Sequence, residues 1–125
     1  MIYGIFAGHS NFASNAVESA EKIIGTQDNY SIISNKDLSS EEIFGLLEEI
    51  INKNAKDTHF FIFIDFYGSS ISLPSVRIKQ MHDSRVNLLF GYNMPMILDF
   101  FIHRTNKSPF ELSGKLIEVG RMGIR

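Results

Sequence analysis

The chain has 125 residues, of which 44% are hydrophobic and 21% charged, and its formal net charge is -2. A chain of this length buries roughly two-thirds of its surface on folding, so we expect one domain, residues 1–125, that needs no structural metal. The absence of cysteine excludes thiol catalysis and Cys-ligated zinc. The slightly acidic balance argues against nucleic acid as a partner, because such binding needs clustered Lys and Arg.

The sequence also argues against a membrane-embedded protein. Its longest purely apolar run is the five residues from Phe60 to Ile64, whereas a bilayer span needs roughly 20. No basic segment precedes the strand-like residues Ile2 and Tyr3, so we expect no signal peptide. We therefore expect a cytoplasmic protein with no membrane insertion.

The first half of the chain alternates strands and helices. Ile2 to Ala7 predicts a strand, and an apolar helical pattern then runs from Phe12 to Ile24, where Gly25 is placed to act as a left-handed C-terminal cap. Tyr30 to Ile33 predicts a second strand. Ser39 and Glu42 form a capping box that begins a second helix. The apolar stripe of that helix consists of Ile43, Leu46, Leu47, Ile50 and Ile51.

The second half begins with the strand that the pattern places at the centre of the sheet. His59 to Ile64 is almost continuously apolar, which is typical of a parallel strand buried on both faces. Residues 68–70 then form a loop of small side chains before a helix around Leu73 to His82. Val86 to Phe90 predicts a fourth strand.

Two helices complete the predicted elements. The first begins near Pro95, and its buried face consists of Met96, Ile97, Phe100 and Phe101. The second begins with a capping box at Ser108 and Glu111, and we expect it to run to about Val119 with Gly120 as its C-cap.

The alternation of strand and helix predicts an α/β fold. We expect an open, mainly parallel sheet of four or five strands with helices on both faces, a three-layer α/β/α arrangement. In such folds ligands bind beyond the carboxyl ends of the strands, where the strand order reverses. Function is therefore expected in the loops at 8–11, 65–72 and 91–94.

The first of these loops places His9 where a strand ends and a helix begins. Free backbone N–H groups and the helix dipole favour anions at such a position, and a neutral imidazole is a nucleophile. His9 is therefore a candidate phosphoryl acceptor. The alternative is a loop histidine that only caps or packs.

The second loop offers a carboxylate, hydroxyl groups and backbone donors, a composition that can hold an oxyanion. Asp65 and His9 both follow predicted parallel strands, so we expect the carboxylate to approach the imidazole and orient it. The alternative is an aspartate that only caps a turn. His59, His82 and His103 share no metal-ligand spacing and are expected on the surface or at helix ends, so neither a metal nor a cofactor is predicted.

Four short segments, in order along nearly the whole chain, resemble one family. They are Gly8-His9-Ser10-Asn11-Phe12-Ala13, Ile62 to Ser70, Phe90 to Met96, and Glu118 to Arg125. Together they resemble the mannose-family enzyme IIA of the bacterial phosphoenolpyruvate-dependent sugar phosphotransferase system. The resemblance implies a phosphocarrier: HPr would phosphorylate His9, and His9 would pass the phosphoryl group to an enzyme IIB for coupled sugar uptake.

The resemblance also implies the site residues. The catalytic set would be His9, Asp65 and Ser70, and the phosphoryl-binding set would be Ser10, Asn11, Gly68, Ser69 and Ile71. This chain departs from the family pattern at Ser69, Ile71 and Leu73, where the family usually has Gly, Pro and Asn. The resemblance also implies a homodimer, and it is compatible with docking to a membrane sugar permease complex.

Three other functions remain open from the sequence. The phosphocarrier subunit of dihydroxyacetone kinase also resembles this pattern, and the His9-Ser10 pair fits it. The altered loop after Asp65 favours a regulatory module of the same fold with weakened transfer. A receiver domain phosphorylated on Asp65 is disfavoured, because Ala7-Gly8-His9 lacks the acidic pair that binds magnesium in receivers.

Overall fold

A computed structural model describes all 125 residues of the chain. It contains four strands, five α-helices and one short 3-10 helix at Asp83–Arg85. The strands are β1 (Ile2–Gly8), β2 (Tyr30–Ser34), β3 (His59–Ile64) and β4 (Val86–Phe90). The helices are α1 (Phe12–Ile24), α2 (Ser40–Lys53), α3 (Ser72–Met81), α4 (Met94–His103) and α5 (Pro109–Met122).

The four strands form one parallel sheet in the order β2-β1-β3-β4. The predicted α/β fold with a parallel sheet is confirmed. β1 and β3 are the inner strands, and their register aligns Ala7 with Ile64, so the two strands end at the same edge. The chain leaves β1 towards β2 on one side while β3 lies on the other, which makes this edge the point where strand order reverses.

The helices cover both faces of the sheet, as expected for a three-layer fold. On one face α1, α4 and α5 bury Phe6 and Phe63, whose rings stack with centroids 4.6 Å apart. On the other face α2 and α3 bury Ile5, Ile62 and Ile64. Successive residues of a strand point to opposite faces, so the continuous apolar sequence of β3 fills both cores. No helix in the structure is both long enough and apolar enough to cross a lipid bilayer.

Both predicted capping boxes are present. The side chain of Ser39 accepts a hydrogen bond from the N–H of Glu42 at 3.2 Å, and the Glu42 carboxylate accepts one from the N–H of Ser39 at 3.0 Å. The reciprocal pair at Ser108 and Glu111 has the same geometry, with both distances 3.2 Å. In each case the carboxylate accepts from the capping residue, which lowers the pKa of Glu42 and of Glu111.

Several boundaries differ from the sequence prediction. α5 runs on to Met122, so Gly120 is a buried interior residue and Gly123 is the C-cap. Gly120 packs closely against α4, where a Cβ would lie 2.7 Å from the Met96 Cε. Gly25 has a positive φ of 91° with ψ 168°, a conformation that favours glycine but lies outside the left-handed helical region of the cap that we expected.

Some side chains of the helices and one histidine also differ from expectation. In α1 the ends of the apolar pattern, Phe12 and Ile23, are exposed, and small side chains between them fill the core. In α2, Leu46 lies at the exposed margin of the stripe. His59 is half-buried with its Nε2 2.6 Å from the Asn87 Oδ1, so it is not a free surface residue. His82 lies at the end of α3, as expected, but its Nε2 is buried.

Candidate functional site at the carboxyl edge of the sheet

His9 and Asp65 meet beyond the adjacent ends of β1 and β3. The His9 Nδ1 lies 2.7 Å from the Asp65 Oδ2, although the two residues are 56 positions apart. The close approach that the parallel strands predict is therefore confirmed. The His9 side chain is 39% exposed and the Asp65 side chain 8% exposed, so the imidazole is reachable from solvent and the carboxylate is not.

Two backbone contacts fix the position of the Asp65 carboxylate. The N–H of His9 donates to Oδ2 at 3.0 Å, and the N–H of Phe66 donates to Oδ1 at 3.1 Å. An ionised carboxylate only accepts hydrogen bonds, so the His9 Nδ1 is the protonated nitrogen and Nε2 holds the free lone pair. The arrangement gives one defined tautomer with its nucleophilic atom turned away from Asp65.

Gly8 allows this close approach of the two loops. A Cβ on Gly8 would lie 3.4 Å from the Asp65 Oδ2 and 3.3 Å from the Phe12 Cδ2, closer than most side chains tolerate. Ser10 then turns the chain with a positive φ of 51°, and its carbonyl accepts a hydrogen bond from the Ser34 hydroxyl at 2.8 Å. The loop after β1 is thus held from both neighbouring strands.

Free backbone donors lie on both loops. The N–H groups of Ser10 and Asn11, at the start of α1, have no acceptor in the protein, and the Asn11 side chain makes no capping hydrogen bond. Before α3, the N–H groups of Ser69, Ser70 and Ile71 are likewise without an acceptor. Such donors at helix N-termini favour an anion.

Within the expected phosphoryl-binding set the N–H of Gly68 is already used, whereas Ser69 and Ile71 keep the free backbone donors that were expected of them. The N–H of Gly68 donates to the Ser72 hydroxyl at 3.2 Å, so it is not available to a ligand. The Ser69 hydroxyl lies 3.3 Å from the same Ser72 hydroxyl and is buried. The Ile71 side chain belongs to the core, so this residue offers only its backbone.

Asn35, in the loop after β2, is a site residue that the sequence reasoning missed. Its Nδ2 donates to the Ser70 hydroxyl at 3.1 Å, and its N–H donates to the Gly8 carbonyl at 3.2 Å. Asn35 therefore ties the two active loops together and leaves the Ser70 hydroxyl proton free to donate. The signal available in the sequence was the polar run Ser34-Asn35-Lys36 directly after a predicted strand at the same edge.

The third expected loop, at 91–94, contacts the end of β1 but makes no hydrogen bond to His9. Tyr92 is buried, and its hydroxyl donates to the Ala7 carbonyl at 3.2 Å. Burial, and then the nearby charge of Asp65, raise the pKa of Tyr92 well above its usual value, so the phenol stays protonated. Asn93 is the N-cap of α4, where its side-chain oxygen accepts a hydrogen bond from the N–H of Met96. Its Nδ2 donates to the Gly120 carbonyl at 2.8 Å.

The geometry defines an exposed, oriented imidazole between two helix starts that favour anions. No group of three or more His, Asp or Glu side chains is placed to bind a metal ion. What the arrangement can do is take an anionic electrophile, such as a phosphoryl group, onto the His9 Nε2.

Comparison with known proteins identifies the family. The model of the EIIA-man family, described as the PTS system fructose IIA component, matches residues 4–116. The chain belongs to this family, which confirms the resemblance found in the sequence. Membership implies a part in phosphotransferase-system sugar transport and phosphotransferase activity in general. No curated protein sequence matches the chain.

Solved structures show the same fold. The phosphotransferase system component EIIA from Streptococcus agalactiae is 23% identical, with a TM-score of 0.91 over 100% of this chain and 96% of that one. The PTS IIA protein associated with the fucose utilization operon of Streptococcus pneumoniae is 16% identical, with a TM-score of 0.86 over 99% and 91%. The mannose/sorbose specific IIA subunit from Enterococcus faecalis is 16% identical, with a TM-score of 0.81 over 98% and 92%.

Proposed function

We propose that this protein is a phosphocarrier that accepts a phosphoryl group from phospho-HPr on the His9 Nε2 and passes it to an enzyme IIB. The observation that carries the proposal is the 2.7 Å contact between the His9 Nδ1 and the Asp65 Oδ2, with the imidazole 39% exposed. A buried carboxylate that fixes the tautomer of an accessible imidazole is the arrangement that a histidine nucleophile requires.

In the transfer step the lone pair of the His9 Nε2 forms the new N–P bond. The bond between phosphorus and the donor atom of HPr breaks, and its electron pair returns to that donor. Nδ1 keeps its proton, which it continues to donate to Asp65, so the ring gains a positive charge next to the carboxylate. Asp65 stabilises that charge, and onward transfer to enzyme IIB reverses the same step.

The phosphoryl oxygens would be held by the free donors of both loops. The backbone N–H groups of Ser69, Ser70 and Ile71 lie at the start of α3, and the Ser70 hydroxyl proton is free because Asn35 donates to its oxygen. Ser10 and Asn11 add backbone donors at the start of α1. These donors would stabilise the negative charge of the phosphoryl group through hydrogen bonds.

Partners and assembly follow from the same role. We propose that residues 1–125 form one phosphocarrier domain that acts in the cytoplasm as a homodimer. Its phosphoryl donor would be HPr and its acceptor enzyme IIB. Enzyme IIB would bring the protein to a membrane sugar permease complex, where sugar uptake is coupled to the transfer.

Incubation with HPr, its kinase and labelled phosphoenolpyruvate tests the proposal. We expect acid-labile label on the wild type, no label on His9→Ala, and full label on the control His103→Ala, whose histidine lies at the end of α4. Label would leave the protein when enzyme IIB is added. Acid-stable behaviour with label on Asp65, or an unlabelled wild type, would overturn the proposal.

A second candidate is a regulatory module of the same fold with weakened transfer. It is favoured by the commitment of the Gly68 N–H and the Ser69 hydroxyl to Ser72, which removes two donors from the phosphoryl site. An unlabelled wild type that still binds HPr in a pull-down would support this second candidate.

A further inference from the structure

Phe66, the residue directly after Asp65, lies face to face with the His9 imidazole. The ring centroids are 5.0 Å apart and the ring planes differ by 21°. The Phe66 side chain is nevertheless 51% exposed. The exposed loop therefore places an aromatic face directly against the imidazole.

The stack restrains a motion that Asp65 limits only weakly. The hydrogen bond from Nδ1 to Oδ2 fixes the tautomer of the imidazole, but a hydrogen bond tolerates misalignment, so the ring can still tilt about its Cβ–Cγ bond. A phenyl ring against the imidazole face opposes the tilt. The two contacts act along perpendicular directions, so together they fix where Nε2 points.

The placement of Phe66 is tied to the same carboxylate. Its N–H donates to the Asp65 Oδ1 at 3.1 Å, while the His9 Nδ1 contacts Oδ2 at 2.7 Å. The carboxylate thus holds the imidazole and the backbone of its stacking partner at the same time. The next aromatic residue, Tyr67, is 81% exposed and packs on Phe90 at 5.2 Å, away from His9.

We propose that Phe66 is a positioning residue for phosphoryl transfer, which holds the plane of the His9 imidazole so that Nε2 faces the donor. The inference rests on the proposed function. The stack has a second consequence, because the imidazole gains a positive charge when Nε2 takes the phosphoryl group. The π face of Phe66 attracts that charge more than it attracts the neutral ring, so the contact strengthens during the reaction.

Three variants separate this role from others. Phe66→Leu keeps the apolar volume and removes the aromatic face, Phe66→Tyr restores the face, and Tyr67→Leu is the matched control one residue along the exposed loop. Each would be compared with the wild type in two measurements. The first is transfer from phospho-HPr at varied concentration, which gives kcat and KM. The second is the NMR shifts of the His9 ring protons in the unphosphorylated protein.

For Phe66→Leu we expect kcat to fall by a factor of about two to ten with KM unchanged. The His9 ring protons should move downfield as the ring-current shift of the stacked phenyl is lost. Phe66→Tyr should restore both values, and Tyr67→Leu should change neither. A rise in KM alone would assign Phe66 to docking and overturn the proposal, as would wild-type kcat and His9 shifts in Phe66→Leu.

The NMR measurement does not depend on transfer, so failure of the role of Phe66 can be distinguished from failure of the proposed function. A wild type that takes no label, with ring-current shifts that disappear in Phe66→Leu, would show that the stack exists but has no part in transfer. That result would overturn the proposed function and the role of Phe66 together. A labelled wild type with no ring-current shift would overturn the role of Phe66 alone.

Discussion

Each edge of the sheet has a basic side chain beside an aspartate, but the two edges differ in whether the hydrogen-bonding groups of that side chain are already used. At the amino edge the Arg104 side chain is only 7% exposed and lies beside a cavity of about 520 Å³ that also includes Asp57 and Lys107. Its guanidinium donates to the carbonyl of Asp28 at 2.7 Å and to that of Asn29 at 3.0 Å. At the carboxyl edge the His9 Nε2 has no partner, and the nearby cavity beside Tyr67 is smaller, about 320 Å³.

The comparison shows that the unused hydrogen-bonding capacity lies at the carboxyl edge, whereas the larger cavity and the buried guanidinium lie at the amino edge. Arg104 is a structural residue, because its buried guanidinium uses its donors to hold the carbonyls of Asp28 and Asn29 in the loop before β2. Around His9 the free atoms are those that the proposed transfer would use, namely Nε2, the Ser70 hydroxyl proton and the backbone donors before α3. The larger cavity therefore lies at the structural edge.

The largest expected effect on the carboxyl edge, short of removing His9, comes from Asp65→Asn. Losing the group that orients the imidazole should slow phosphorylation by about 10²- to 10⁴-fold and leave residual transfer. Asp65 also repels the phosphoryl dianion while it attracts the positive imidazole ring. If the repulsion dominates, the phosphorylated form of Asp65→Asn should persist longer than that of the wild type when enzyme IIB is added. Both are measured as the gain and loss of label.

Asp28→Asn at the amino edge is the matched control for this prediction, because that carboxylate belongs to the structural edge. We expect its transfer rate to match the wild type. Phosphorylation of Asp65→Asn at the wild-type rate, with unchanged onward transfer, would show that Asp65 is only a structural cap.

Arg104→Met should produce the reverse result, a loss of stability without a loss of transfer. The substitution removes the guanidinium donor of the Asp28 carbonyl and one of the two donors of the Asn29 carbonyl, which also accepts from the Gly4 N–H. We therefore expect the free energy of unfolding to fall by about 1 to 2 kcal/mol. Denaturant unfolding measures this change, with the exposed Arg125→Met as the control. A folded Arg104→Met that transfers more slowly than wild type would break the division between the two edges.

Ser70→Ala tests whether the free donors at the carboxyl edge act on the phosphoryl group. The hydroxyl would donate to a charged oxygen, and losing one such hydrogen bond should slow transfer about tenfold. Stability should not change, because Ser70 is exposed. Ser84→Ala, an exposed serine of the 3-10 helix, is the control. Equal rates for the two variants would remove Ser70 from the site.

The smallest expected effect concerns His59 at the amino edge. Burial lowers the pKa of His59, against the opposing effect of its hydrogen bond to Asn87. The folded state therefore favours the neutral ring, so the stability contribution is complete above about pH 6.5, the ordinary value, and is lost as the pH falls below it. Thermal unfolding between pH 7.5 and 5 should show a shallower loss of Tm for His59→Asn than for wild type or His103→Asn.

Much of this protein follows from its sequence alone, because the determining signals are local. The capping boxes at Ser39 and Ser108 need only residues three positions apart, and the apolar run of β3 fixes a strand buried on both faces. The meeting of His9 and Asp65 is long-range, yet it followed from one rule, since parallel strands end at the same edge. The family resemblance rested on the same segments.

Only the tertiary structure decided which groups of the candidate site contact one another. Loop conformations and side-chain rotamers determine the contacts of Asn35 with Ser70, of Gly68 with Ser72 and of Phe66 with His9. No periodic pattern encodes these choices. The same holds for the close packing of Met96 in α4 against Gly120 in α5. Contacts between distant segments select among local conformations of similar energy, so they appear only when the packed chain is known.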